Sequence, residues 1–328
     1  MARLSIIIPA IGSNELLETG LASVLQHRPA GSEVLVVLPR PYDDPYNIKD
    51  EVRFVAARRG AGLVECLSTG LAESTGEVVH TLAAGVEVTD CWTAAPVARF
   101  ADPRVAAVAP LLVLDNSGAP ICSAGVSYSP QGARKQILIG TAEGAARVPT
   151  LGPELRAGFY RRETLLELSA LSSRVGDDVA DIDLALTLRA AGYRAVFEPA
   201  GKIYATALGN ETARGFRAGR AAERLFWRNA PLAGWFRSLI AHPAAWLSDV
   251  AQVGPRPALL THWLGRAVGC LEQSSHRKRH AQLVELAELH AAHEAALANE
   301  GASLHRLRMD MGHRQREAQT VNVRSKAA

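Results

Sequence analysis

Two aspartates two positions apart, Asp181 and Asp183, open a segment whose apolar residues from Ile182 to Ala191 recur at helical spacing, with Asp177 and Asp178 just upstream. Carboxylates in a first helical turn complement the partial positive charge of the helix N-terminus. Arg58 and Arg59 precede Gly60-Ala-Gly62, and Arg214, Arg217 and Arg220 lie in a Gly/Ala-rich stretch further on. Guanidinium groups grip phosphates bidentately, so both arginine sets are candidates for a phosphorylated ligand, beside the plainer reading of solvated basic loops. Six of the ten histidines (His276, His280, His290, His293, His305 and His313) lie beyond Cys270. His276 and His280 are one helical turn apart, but the intervening Arg-Lys-Arg would repel a cation, so they read as a solvated helix face and no metal site is predicted. Cys66, Cys91, Cys122 and Cys270 form no CxxC pair, which argues against a zinc ribbon or a dense disulfide framework and makes a reducing compartment the default. There is no Walker lysine-serine pair, no complete GxGxxG after a strand, no Gly-x-Ser-x-Gly elbow and no His-Glu-x-x-His, so hydrolase and zinc-protease readings have no support.

These groups need elements to position them. Leu4-Ser-Ile-Ile-Ile8 is apolar apart from Ser5 and stops at Pro9, as a strand covered on both faces would. Asn14 to Gln26 places Leu17, Leu21 and Val24 at helical spacing behind Ser13, a plausible N-cap, and Glu33 to Val37 is a second apolar strand. Strand, helix, strand without a hairpin signal is a βαβ unit, so the sheet is expected to be parallel. The alternation continues through Val52 to Ala56 (strand), Gly62 to Glu73 (helix), Glu77 to Leu82 (strand), Trp92 to Phe100 (helix) and Val105 to Val113 (strand). Residues 115–156 are less regular. Phe159 to Leu171 and Ile182 to Ala191 then read as helices, with Gly192 as C-cap glycine of the second, and Ala195 to Phe197 reads as a short strand ending at Pro199. The expectation is a doubly wound α/β domain over residues 1–225, and open α/β sheets bind ligands beyond the carboxyl ends of their strands. Pro9 and Ala10 therefore join Arg58, Arg59 and Arg217 as candidate nucleotide- or phosphate-binding positions.

The 328 residues are 48% hydrophobic and 21% charged, enough for about two domains and incompatible with a collagen-like or wholly disordered chain. A net charge of +3 is too small to imply a nucleic-acid partner, and none is predicted. The apolar run before Pro9 is too short for a signal-peptide core, and no stretch reaches the roughly 18 apolar residues of a membrane-spanning helix, so a cytoplasmic location is expected. Four of five tryptophans (Trp227, Trp235, Trp246 and Trp263) fall among Arg228, Arg237 and Arg266 in residues 226–269. This pattern suits peripheral contact with the inner face of a membrane, and equally an aromatic helical subdomain packed on the core. Residues 270–328 form a charged helical tail. Leu283, Leu286, His290, His293 and Leu297 make a short, imperfect heptad stripe over 270–310, consistent with a helical hairpin or a homodimer, and the last ten or so residues read as disordered.

Four segments, in order, resemble family 2 glycosyltransferases, which have the GT-A nucleotide-sugar fold. They are Leu4 to Pro9 with Leu16-Leu17-Glu18 and Ser23-Val24-Leu25; Glu33 to Val37; Gly62-Leu63, Thr69 to Ala72, Gly76 to Val79 and Glu87 to Thr89 with Trp92; and Asp181-Ile-Asp183-Leu184 with Arg189 to Arg194 and Glu198-Pro199. The resemblance covers about residues 3–230. It implies a GT-A-like α/β fold with a doubly wound, mostly parallel sheet and a helical C-terminal region, a nucleotide-sugar donor, a glycan or lipid acceptor, and Asp181 as the base that takes the acceptor hydroxyl's proton. In such chemistry a divalent cation held by an Asp-x-Asp motif usually meets the charge of the departing diphosphate.

The departures are concentrated on one functional surface. Where the family's metal motif should follow Leu82 stand Ala83-Ala84-Gly85, none of which can ligate a cation through its side chain. The base-reading aspartate corresponds to Leu38, the usual tyrosine-asparagine to Ile11-Gly12, a late histidine ligand to Ala205 and the glutamate before the base to Ala180. No cofactor is therefore predicted. Two readings follow: an inverting, non-processive, metal-independent transferase using Asp181, with Asp183 beside it, or a catalytically degenerate GT-A-like binding or scaffold protein.

Overall fold

The computed structural model describes residues 3–114, 121–128, 134–139, 148–205, 215–229, 242–243, 246–247, 249, 257–272, 279, 281–289, 291–292 and 295–296. Met1–Leu283 is one compact unit and Val284–Ala328 a second. The first contains a ten-stranded sheet. Its strands are β1 (Leu4–Pro9), β2 (Glu33–Leu38), β3 (Arg53–Ala56), β4 (Val78–Thr81), β5 (Val86–Val88), β6 (Val105–Leu114), β7 (Ile121–Tyr128), β8 (Arg134–Ile139), β9 (Phe159–Arg161) and β10 (Arg194–Ala205). Their order is β3-β2-β1-β4-β9-β6-β10-β5, with β7 on β6 and β8 on β7.

The parallel alignment expected of the N-terminal strands is present: β2 and β4 flank β1 in parallel, β3 extends the sheet beyond β2, and β6 runs parallel to β10. The apolar character of β1 on both faces has a direct cause. Ile6 and Ile8 pack with Leu17, Leu21 and Val24 of α1 (Asn14–Gln26), whereas Ile7 packs with Val64, Leu67 and Leu71 of α2 (Leu63–Glu73) on the other face. Ser13 caps α1 as expected, accepting the Leu16 N–H. Ser5, the polar exception in β1, is buried but bonded to Glu33 at 2.5 Å and to the Gly76 N–H at 2.8 Å.

Several expectations are corrected. Phe159 to Leu171 is not one helix: β9 inserts antiparallel between β4 and β6, and only α4 (Arg162–Glu167) is helical. Phe159 joins one face's core and Tyr160 the other's, so the local period is two. Trp92 to Phe100 shortens to α3 (Ala94–Ala98) and a 3₁₀ turn at Arg99–Ala101, because Pro96 is tolerated only in a first turn. The strand expected to stop at Pro199 runs on to Ala205, its register against β6 shifting between Glu198 and Lys202 so that the proline sits in the irregularity. Within the region read as irregular, β7 and β8 form an antiparallel hairpin on β6.

Helix α5 (Ala180–Ala190) starts two residues before the expected Ile182 and stops one before Ala191, and Gly192, whose φ of 84° favours glycine, follows its C-cap. Helix α6 (Phe216–Asn229) runs across the 225/226 position, and α7 (Pro257–Leu271) packs on it. A Cβ at Gly219 would overlap the His262 carbonyl, and one at Gly265 the Phe216 carbonyl, so these glycines permit the close crossing. Leu283 of the anticipated stripe is buried, while Leu286 and Leu289 are exposed. His290, His293, Leu297 and the end of the chain lie outside the described residues. None of the described helices is long and apolar enough to cross a membrane.

Candidate functional site

At the carboxyl ends of the parallel strands, a cleft of about 340 Å³ is lined by Ala10, Ile11 and Gly12 after β1, Pro39 and Arg40 after β2, and Arg59, Gly60 and Ala61 after β3. Arg40 spans it, donating to the Gly12 carbonyl at 2.5 Å and to Asn14 Oδ1 at 2.8 Å. Pro9 ends β1 immediately before this lining, with its carbonyl accepting the Ile11 N–H. Of the two candidate arginines here, the exposed Arg59 faces the cleft, whereas Arg58 is gripped by Glu65 through two bonds of 2.7 Å. Leu38 packs against the core below, and its side chain offers no acceptor to a base.

Gly60 and Ala61 lead into α2, whose N-terminus is occupied by a carboxylate from a distant segment. Asp177 accepts the Leu63 N–H at 2.8 Å and the Val64 N–H at 3.3 Å, and a Cβ at Gly62 would collide with that carboxylate. This contact sets the start of α5 beside the cleft. Asp178 next to it has its carboxyl pushed up by burial and by Asp177, and the exposed Arg217 acts on it as a nearby positive charge.

Asp181, in the first turn of α5, is buried. Arg134 of β8 grips it bidentately, at 2.7 and 2.9 Å to one oxygen and 3.1 Å to the other, and the Ile182 N–H donates to it at 2.9 Å. Burial pushes its carboxyl above the ordinary aspartate range, and the Arg134 guanidinium offsets only part of that. Arg134 also lies 3.8 Å from Glu154, a buried carboxylate that accepts from Ser123 at 2.8 Å, Gln136 at 2.6 Å and Arg156 at 2.7 Å. Asp181 is thus one end of a chain of four charges. Sequence reasoning missed Arg134, Glu154 and Arg156; the available signal was a charged pair, Glu154-Leu-Arg156, beside Gly152-Pro153 and Gly158 in an otherwise apolar stretch.

Asp183 is placed differently. Its carboxylate lies 2.6 Å from the Arg228 guanidinium, both side chains being buried, so it ties α5 to α6. Burial raises its carboxyl too, with Arg228 opposing.

A divalent cation does not fit the residues at the expected position. Ala83, Ala84 and Gly85 form the turn from β4 to β5, with Ala83 N–H donating to the Arg156 carbonyl at 2.8 Å, and Ala205 is buried at the end of β10. No group of three His, Cys, Asp or Glu among the described residues could hold a metal. Glu154 and Asp181, the carboxylates of the charge chain above, already carry arginines.

The tryptophan-rich region turns its described indoles inward. Trp227 donates to Glu223 at 2.7 Å, Trp246 to Glu223 at 3.3 Å and Trp263 to the Trp246 carbonyl at 3.3 Å, around a buried Arg266 held by Asp249 at 2.6 Å and Glu223 at 3.0 Å. Trp235 lies outside the described residues.

No protein-family model and no curated protein matches the sequence. The structure is similar to the crystal structure of GalNAc-T7 with UDP, GalNAc and Mn²⁺, at a TM-score of 0.53 and 15% identity, covering 69% of this chain and 47% of that one. The chain therefore spans about half the length of that protein. It also aligns with the mannosyltransferase PcManGT from Pyrobaculum calidifontis, in complex with GDP-Man and Mn²⁺, at a TM-score of 0.48 and 20% identity over 88% of this chain and 87% of that one. The likeness establishes the architecture: this chain has a GT-A-like glycosyltransferase fold, an α/β sheet domain with a helical C-terminal region.

Proposed function

We propose that this chain transfers a sugar from a nucleotide-diphosphate donor to an acceptor hydroxyl, by inverting, non-processive chemistry that needs no divalent metal. The observation that carries this reading is the cleft at the ends of three adjacent parallel strands, with the head of α5 fixed beside it by Asp177. Pro9, Ala10 and Arg59 border the nucleotide, and Arg58 and Arg217 flank it as more distant positive charges. Asp181 serves as base: the acceptor oxygen attacks the anomeric carbon, its proton passes to Asp181, and the electron pair of the breaking bond leaves on the diphosphate. A carboxyl raised by burial is better matched to that proton than an ordinary aspartate. Asp183, in the same turn, holds α5 against α6 through its pair with Arg228. Asp181→Asn is expected to lower transfer by about 10²–10⁴-fold while the protein remains folded. Unchanged turnover in that variant refutes the base assignment.

A second reading, a degenerate scaffold without turnover, is favoured by one observation: both Asp181 oxygens are already engaged. Thermal shift with UDP, GDP, TDP and CMP and their sugars, each with EDTA, Mg²⁺ or Mn²⁺, separates the two. A ligand at about 100 times its Kd adds roughly 2.7 kcal/mol. A nucleotide-specific shift that survives EDTA supports the transferase, a shift requiring Mn²⁺ overturns metal independence, and no shift at all favours the scaffold.

The acceptor in this reading is a glycan or lipid, reached by a cytoplasmic protein touching the inner membrane face through 226–269. That contact now rests on exposed leucines, since the described tryptophans are engaged internally. Pairing of two copies through 270–310 would use Leu286 and Leu289.

A further inference from the structure

We infer that Arg134 and Arg156 together take the place of the missing cation, meeting the charge of the leaving diphosphate, and that proton transfer to Asp181 frees Arg134's charge for this purpose. The inference rests on the donor reading above and names the residues that do what a metal would.

Its first support is position. The Arg156 carbonyl accepts the Ala83 N–H at 2.8 Å, so Arg156 lies in register with the strand end where metal-binding carboxylates are expected and alanines stand instead. Arg134 reaches the same place from the β7–β8 hairpin, and both arginine side chains keep about a quarter of their surface open, at 27% and 23%. Glu154 beneath them is 4% exposed and bonded to Ser123 and Gln136, which fixes it as a rigid seat for both. A seat of this kind preorganises the two guanidinium forks before any ligand arrives, which is what electrostatic stabilisation of a departing anion requires.

The second support is the charge count. At rest Arg134 and Arg156 face Asp181 and Glu154, with Asp178 a further negative charge acting on Arg134. When the acceptor's proton moves to Asp181, one negative charge disappears and the Arg134 guanidinium loses the carboxylate that opposed it. In the same step the bond from the anomeric carbon to the phosphate oxygen breaks and its electron pair settles on the diphosphate. The positive charge therefore emerges as the negative charge does, with no co-reactant beyond donor and acceptor. Arg58, which the sequence singles out, pairs with Glu65, whose charge no step of the reaction neutralises.

The test is calorimetric titration of the full chain in EDTA with UDP and GDP, with uridine and guanosine, and with inorganic pyrophosphate. The wild type is expected to bind one nucleoside diphosphate at least tenfold more tightly than its nucleoside, with no gain on adding Mn²⁺. Arg156→Gln should weaken that diphosphate and pyrophosphate by ten- to a hundredfold, the range of a lost charge-assisted contact, and leave the nucleoside unchanged; Arg156→Lys should recover part of the loss. Undiminished diphosphate binding by a folded Arg156→Gln protein overturns the inference and leaves the donor reading intact. If that variant does not fold, the wild type decides: a diphosphate preference that vanishes in EDTA and returns with Mn²⁺ overturns it equally. Absence of any nucleotide or nucleoside binding overturns the donor reading and this inference with it.

Discussion

His80 shows how a titratable group can belong wholly to the core. It is fully buried in β4, stacked on Phe159 at 3.9 Å and edge-on to Trp92 at 4.9 Å, with Nδ1 3.0 Å from the Gly158 carbonyl. Burial lowers its pKa from 6.5 to about 3, so it is neutral in the fold at any ordinary pH. Between those two values the unfolded chain binds a proton that the native state does not, so stability falls as pH drops from 6.5 towards 3, by at most about 1.4 kcal/mol per pH unit. His80→Gln removes that proton-binding site. Urea midpoints measured from pH 7 to 4 should therefore fall less steeply for the variant, and parallel curves would contradict this account. Asp181 and Asp183 make the complementary point. They share a sequence motif and a helix turn, but Arg134 at the sheet's hairpin engages one and Arg228 of α6 the other, so the first joins the charge chain of the sheet and the second serves the α5–α6 junction.

At the scale of elements, short contacts decide where helices can lie. α6 and α7 cross where Gly219 and Gly265 each bring a helix against a carbonyl of the other. Gly265→Ala is expected to destabilise the fold by about 1–3 kcal/mol, as overpacking of a tight contact does, seen as a lowered Tm. A Tm equal to wild type would mean the crossing is looser than described. The β elements divide by how local their signals are. β1 to β4 and α1, α2 and α5 are legible because each announces itself by its own apolar period and by a cap or a proline. β9 is not, since three residues with apolar neighbours fit a helical period equally well, and only pairing with β4 and β6 makes them a strand. The extension of β10 past Pro199 was hidden for a related reason: a proline reads as a stop unless the partner strand absorbs it in a register shift.

At the scale of the whole molecule, the described helical region carries an exposed apolar face. Leu260, Leu264 and Leu271 of α7 are 69%, 59% and 84% exposed and fall on one helix face with the exposed Ala267. The basic run His276-Arg-Lys-Arg-His280 follows α7 in the sequence. An apolar face followed in sequence by a run of cations suits an anionic lipid surface. The intact protein should therefore float with vesicles containing anionic lipid in a salt-sensitive manner, and Leu260/Leu264/Leu271→Ser should remain at the bottom of the gradient. Equal flotation of the two would exclude this face as the contact.

The sequence by itself determined the alternating α/β plan, the parallel N-terminal strands, and the absence of ligating side chains at Ala83, Ala84 and Gly85, because these depend on local periodicity and on residue identity. It also placed Asp181 at a helix start. What only the tertiary structure decided is which charges meet. Arg134 and Asp181 are 47 positions apart, Asp177 and Leu63 are 114 apart, and Arg228 reaches Asp183 from another helix. Charge pairing across such separations follows from how strands order within the sheet, and no period or spacing along the chain encodes it.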